Sequence, residues 1–441
     1  MRKACLIAAA AAIVAVVAGL VFGSPVLWRV GAVVATVGLA IGLGGVFSLK
    51  GFQFTAWIIA AVTCSMLYPS AFLHWGEIDL RNKWLILLVV QLVMFGMGTQ
   101  MSLDDFRGVA RNPVGVLVGI ICHFSVMPLV GFALTKIFRF PPEIAAGVIL
   151  IGSCSSGLAS NVMAYLAQAN LVLSVTVTAI TTLVAPLMTP LWMKLLAGTL
   201  VKVNFVDMMM DIIRIVIVPI GAALLHDYLK HASPAGRRRV QAVAGFAVAW
   251  LVFLAVGGWG WIAQRASEPI QQVVATFGFF MAAVLGGLAY HVVARRAPWI
   301  ERKMPLCSMF GIVYFTAVTT AAGRDHLLQI GLLLFVAAAL HNGAGYFFGY
   351  WLSRGAGLDK NSARSVAFEV GLQNGGMASG LAGAMGKLAT VGLASAIFSP
   401  WMNVSGSILA NYWRRHPVPP SEDPTSGVEM PTGESDPLRR V

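Results

Sequence analysis

Long apolar runs, each broken by glycine, proline or a short charged stretch, follow one another from Cys5 to Tyr412. They are about as long as the roughly 20 residues a helix needs to cross the hydrocarbon core of a bilayer. Fourteen of them predict fourteen transmembrane helices. The first two cover 5–22 and 28–48, and the next five 54–73, 84–101, 113–136, 142–168 and 170–196. After a short polar stretch the pattern resumes at 206–229, 240–263, 270–293, 304–323, 327–352, 362–386 and 389–412. From Pro417 onward Pro, Ser and acidic residues replace the apolar ones, so the tail cannot bury a core and is expected to be disordered.

Composition narrows the reading further. Of the 441 residues 58% are hydrophobic and 11% charged, against roughly 45–50% and 25% in soluble domains. Little chain is left outside the spans, which excludes a sizeable soluble catalytic domain. Arg2 and Lys3 ahead of an alanine-rich run resemble a secretory leader, but the run is long and has no convincing A-x-A site, so a retained helix is expected. The five cysteines form no C-x-x-C pair and support neither a zinc site nor a disulfide framework.

The net charge of +13 sits in short runs between spans and not on one face or arm, which argues against nucleic acid as a partner. It reads instead as topology. Arg2, Lys3, Lys50, Arg107, Arg111, Lys230, Arg237 to Arg239, Arg295, Arg296, Arg302, Lys303, Arg354, Lys360, Arg364, Arg414 and Arg415 collect on one side of the alternating spans. Arg29, Arg81, Lys83, Lys136, Arg139, Lys194, Lys202, Arg265, Arg324 and Lys387 fall on the other. The bias predicts both termini in the cytoplasm of an inner (plasma) membrane protein.

Ionisable groups inside spans are costly and ask for a reason. Glu369 is the one carboxylate well inside an apolar run; Asp211 and Arg214, near a span start, are expected to form a local i,i+3 pair. Around Glu369 the string FEVGLQNGGMASG supplies Gln373, Asn374 and helix-weakening glycines. Oxygen ligands without thiolates or clustered imidazoles suit a hard alkali cation; a protonated Glu bonded to a neighbouring helix is the alternative. Upstream, GSCSSGLASN interrupts the run 142–168 with small residues from Gly152 to Gly157, then Ser160 and Asn161. The two interrupted segments begin 219 residues apart, and the preceding spans carry His123 and His341, 218 apart. Paired interrupted spans in corresponding positions point to a transporter site near the midplane. Without 5–48 and the pair between Lys230 and Lys303, each half holds five spans, and an odd number inserts the second half upside down.

The strings LVMFGMGTQMSLDDF, FSVMPLVGFAL, GSCSSGLASNVMAYLAQANLVLSVTVTAITTLVAPLMTPL, LHNGAGYFFGY, FEVGLQNGGMASGLA and WMNVSGSILANYW resemble the bile acid:sodium symporter family. The resemblance runs through both five-helix halves. It implies an all-α polytopic membrane protein of two inverted five-helix repeats, forming a panel and a core domain with two crossed broken helices. In these terms 1–48 is an added helix pair, 49–200 the first repeat, 201–230 the first helix of the second repeat, 231–303 an inserted pair, 304–416 the remainder and 417–441 the tail.

The same resemblance implies one or two bound sodium ions and no organic cofactor. One sodium site would use Ser160, Asn161, Ser174, Thr178 and Glu369; the other Glu369, Gln373 and the carbonyls of Val370 and Leu372, with His123 where family members typically carry a completing glutamine. Ser174 and Thr178 at i and i+4 share a helix face; interhelical or local hydrogen bonding is their structural alternative. Asn374, His341 and Asn342 are implied as substrate contacts, with NGG replacing the more usual N-S-G at Asn374. The expected function is sodium-coupled import of an organic anion, bile-acid-like or a small carboxylate, across the lipid bilayer by alternating access. Alternatives are arsenite efflux of the sister family through Cys154 and proton-coupled anion transport. An intramembrane enzyme lacks any supporting H-E-x-x-H or G-x-S-x-G string.

Overall fold

The structure, a computed structural model, describes residues 2–45 and 52–419. Lys50, the end of the second expected run and the tail beyond Pro419 lie outside the described residues. Each expected run contains a helix or a helix pair. In the first half these are α1 (Arg2–Val21), α2 (Pro25–Leu43), α3 (Gln53–Leu67), α4 (Lys83–Gly98), α5 (Pro113–Phe138), α6 (Pro142–Ser153), α7 (Ala159–Leu166) and α8 (Leu171–Trp192). Next come α9 (Phe205–His231), α10 (Pro234–Arg265), α11 (Glu268–Arg296), α12 (Trp299–Ala322) and α13 (Arg324–Gly355). The chain closes with α14 (Lys360–Gly371), α15 (Gly375–Ala384) and α16 (Gly392–Arg415).

Among the described residues nine helices are long and apolar enough to cross a membrane, or ten if α4 and the segment bent 66° beyond it form one span. The molecule is therefore a mostly helical membrane protein. Several of the other runs fall short for a physical reason: α3 has 15 residues, and the runs 142–168 and 362–386 are split into pieces of 12, 8, 12 and 10 residues. A short antiparallel hairpin, His74–Trp75 with Ile78–Asp79, joins α3 to α4 and is not foreshadowed by the apolar pattern. Arg81 closes it, donating to both Asp79 carboxylate oxygens at 3.0 Å and holding that carboxyl below its ordinary range.

Helix starts carry the side chains that their free N–H groups need. Asn112, Asn170, Asp359 and Asn374 accept from backbone N–H groups at the starts of α5, α8, α14 and α15. Close packing around α14 rests on glycine. A Cβ on Gly345 would stand 2.7 Å from the Gly371 Cα, and one on Gly349 would stand 3.0 Å from the Ala367 Cα, so α13 lies directly against the α14 backbone.

The added helices have another character. α1, α2, α10 and α11 keep most of their apolar surface exposed, as helices facing lipid do. α11 docks on α9, where a Cβ on Gly287 would meet the Ala222 carbonyl at 2.5 Å. Arg214 takes part in this contact. Its expected local pair with Asp211 is present at 3.8 Å, but its better-formed bonds run to α11, to Thr276 Oγ1 at 2.9 Å and the Gln272 carbonyl at 3.0 Å.

Candidate functional site

The breaks between α6 and α7 and between α14 and α15 lie against each other. Their unwound segments pair as short antiparallel strands: Gly157 N–H donates to the Leu372 carbonyl at 2.9 Å and Asn374 N–H to the Ser155 carbonyl at 2.8 Å. A Cβ on Gly157 would come within 2.9 Å of the Gln373 carbonyl, so the close approach requires glycine there. Broken helices leave carbonyls without intrahelical partners, and neighbouring side chains take them up. Thr189 donates to Ser153 O at 2.7 Å, Gln373 Nε2 to Val370 O at 2.6 Å, and Asn342 Nδ2 to Gly371 O at 2.7 Å.

Glu369 points from α14 into this crossing and is fully buried. Ser174 Oγ donates to its Oε1 at 2.5 Å and Thr178 Oγ1 to its Oε2 at 2.8 Å, so the i,i+4 pair on α8 straddles one carboxylate. Asn161 Oδ1 lies 2.9 Å from Ser174 Oγ and 3.2 Å from Thr178 Oγ1. Ser160 Oγ is 3.3 Å from Thr178 Oγ1 and donates to Gly157 O at 2.7 Å. The expected set Ser160, Asn161, Ser174, Thr178 and Glu369 thus converges on one buried point. The hydroxyls of Ser174 and Thr178 lie between the carboxylate oxygens and Asn161 Oδ1. Among the described residues no Lys, Arg or His forms an ion pair with Glu369.

The second expected set is arranged differently. His123 lies between the breaks, with Nδ1 2.9 Å from the Glu369 carbonyl and Nε2 2.9 Å from the Cys154 carbonyl. The Val370 carbonyl accepts from the Gln373 amide, and the Leu372 carbonyl from Gly157 N–H and Ser156 Oγ. These carbonyls already have protein donors.

Of the expected substrate contacts, Asn374 caps α15 through Oδ1 and leaves its buried Nδ2 without a hydrogen-bond partner among the described residues. Asn342 bridges Gly371 and Ser405. His341 lies against Gly152 just before the first break, bonded through Nε2 to the Met127 carbonyl at 3.0 Å and packed on Phe398. Cys154 is fully buried behind the first break. Sequence reasoning passed over Asn170, which ties α8 to α14: its Nδ2 donates to Ser362 Oγ at 3.1 Å and its carbonyl accepts from Ser365 Oγ at 2.8 Å. Only its place as a cap between two apolar runs signals it.

Several known proteins are similar to this chain. Residues 87–263 match the model of the sodium bile acid symporter family. The uncharacterized sodium-dependent transporter YocS of Bacillus subtilis (strain 168) is 34% identical over 369 residues, which is 83% of this chain and 92% of that protein. The chain belongs to the sodium bile acid symporter family. A probable chloroplastic sodium/metabolite cotransporter of Arabidopsis thaliana, BASS1, is 28% identical over 371 residues, 84% of this chain and 75% of that one. The human ileal sodium/bile acid cotransporter is 28% identical over 291 residues, 65% of each chain. Its relatives are sodium-coupled transporters and not enzymes. In fold, the chain is similar to the sodium proton antiporter MjNhaP1 of Methanocaldococcus jannaschii, with a TM-score of 0.50 at 11% identity, covering 88% of this chain and 97% of that one.

Proposed function

We propose that this symporter imports an organic anion together with sodium, and that one sodium ion binds among Glu369, Asn161, Ser160, Ser174 and Thr178. The observation that carries the reading is a buried carboxylate ringed by oxygen atoms, with no basic side chain paired to it among the described residues. An uncompensated buried charge costs several kcal/mol, and a small hard cation removes that cost while accepting every oxygen present. When the ion leaves, rotation of the Asn161 amide brings N–H groups to the two hydroxyl oxygens, which keep donating hydrogen bonds to Glu369.

Ion binding ties α14 to α7 and α8, which fixes the crossing. The positive dipole end of α15, and with it the unpartnered Asn374 amide, then faces an anionic substrate. Gln373, His123 and the Val370 and Leu372 carbonyls, in this reading, brace the crossing from behind. In this reading the fourteen helical runs are fourteen crossings, the halves from 49 and from 201 are inverted repeats, and the pairs 1–48 and 231–303 are additions. The basic bias places both termini in the cytoplasm of the plasma membrane.

Uptake by purified protein in liposomes tests the proposal. A panel of carboxylates and steroid conjugates is offered with and without an inward sodium gradient. At least one anion accumulates faster with the gradient, and Glu369→Ala removes the difference. Equal uptake with and without sodium across the panel contradicts the reading.

A further inference from the structure

A cavity of about 620 Å³ opens between α13 and α16, away from the Glu369 oxygens. Its walls are aromatic and aliphatic, chiefly Tyr346, Tyr350, Trp351, Ile408 and Trp413. Trp351 and Ile408 are each 59% exposed, so the groove opens sideways toward lipid rather than inward. From Asn342 on its floor to Trp351 at its rim it follows nine residues of α13, roughly 13 Å along the helix.

The rim is basic. Arg364, in the first turns of α14, is only 8% exposed, and its guanidinium lies 5.5 Å from the centre of the Trp413 ring. One of its nitrogens donates to the His416 carbonyl at 2.7 Å, and among the described residues no carboxylate pairs with it. Arg414 and Arg415 follow the cavity-lining Trp413 at the end of α16, and Arg354 follows Trp351 by three residues. A buried guanidinium bonded only to a carbonyl and a ring face retains donors for an anion. Basic pockets between helices at the membrane surface suit phosphate headgroups, and tryptophans mark the level at which such headgroups lie.

We propose that this groove holds an anionic phospholipid, with one acyl chain along Tyr346 and Ile408 and its phosphate at Arg364, Arg414 and Arg415. The lipid steadies α14, which carries Arg364 and, five residues on, Glu369. Asn342 at the groove floor holds the far end of the same helix through the Gly371 carbonyl. The inference concerns a surface separate from the proposed ion site, and its test needs neither sodium nor transported substrate.

The test is native mass spectrometry and thermal denaturation of the delipidated full-length protein in detergent, with added phosphatidylglycerol, phosphatidylcholine or palmitate. Phosphatidylglycerol is expected to remain bound and to raise the melting temperature, and the other two to do neither. Arg364→Gln weakens that binding by about fivefold, the worth of one basic residue near a charged headgroup, and Arg364→Lys restores most of it. Ile408→Trp fills the groove at an exposed position and removes the lipid with the arginines intact, so the test survives if Arg364→Gln fails to fold. Equal binding of phosphatidylcholine, or of palmitate, overturns the proposal, as does undiminished phosphatidylglycerol binding to Ile408→Trp. So does an absence of any preference in the full chain, the result expected if Glu422 and Asp423 of the tail occupy the arginines instead.

Discussion

The two oxygen-rich neighbourhoods at the crossing differ in charge. Around Glu369 the Ser174 and Thr178 hydroxyls donate to the carboxylate, and the negative charge has no basic partner among the described residues. Behind the crossing, the Val370 and Leu372 carbonyls accept from the Gln373 amide and the Gly157 N–H, the Cys154 and Glu369 carbonyls share the His123 ring, and the buried Gln373 Oε1 has no partner among the described residues. Both neighbourhoods hold oxygen without a matching donor, and what sets the first apart is a negative charge with no basic partner among the described residues. That charge is the reason the proposed reading puts the ion in the first neighbourhood.

Removing the charge should break the contrast most completely. In Glu369→Ala, sodium-dependent uptake and sodium-dependent thermal stabilisation are both expected to vanish. Asn161→Ala removes a ligand without removing the charge, and a loss of about 10- to 100-fold in sodium affinity is expected in a stability titration. Ser174→Ala and Thr178→Val each lose one hydrogen bond to a charged group, worth roughly tenfold in affinity. Because both bond the same carboxylate, the double variant should fall short of the product of the two.

A change in the other neighbourhood sharpens the comparison. His123→Gln replaces a ring spanning two carbonyls by a side chain with an acceptor oxygen of its own. The sodium dependence of uptake is then expected to steepen from a Hill coefficient of one toward two, and an unchanged coefficient would confine His123 to packing. The smallest effect belongs to Gln373→Ala, which frees the Val370 carbonyl. It should cost about 1 kcal/mol of stability, read as a lowered melting temperature, with sodium affinity preserved.

Much of this was legible in the chain. Apolar run length marked where helices form, and clustered glycine and serine marked where two of them break, because both signals act locally. Glu369 stood out because a carboxylate inside an apolar run has few explanations, and the i,i+4 spacing of Ser174 and Thr178 already placed their hydroxyls on one face. What escaped depends on partners distant in sequence. Nothing near Arg214 announces Thr276, 62 residues away, and nothing near His341 announces the Met127 carbonyl. The hairpin at 74–79 escaped for another reason: its two-residue strands are too short for an alternating pattern.

Direct sodium binding to purified protein, measured by calorimetry on the wild type and Glu369→Gln, tests the central claim most sharply. The amide keeps the shape of the carboxylate and retains an oxygen for Ser174 or Thr178, so the fold should survive. The wild type is expected to bind one sodium ion saturably and the variant none. Saturable binding of similar affinity in the variant would contradict the assignment of the ion to Glu369.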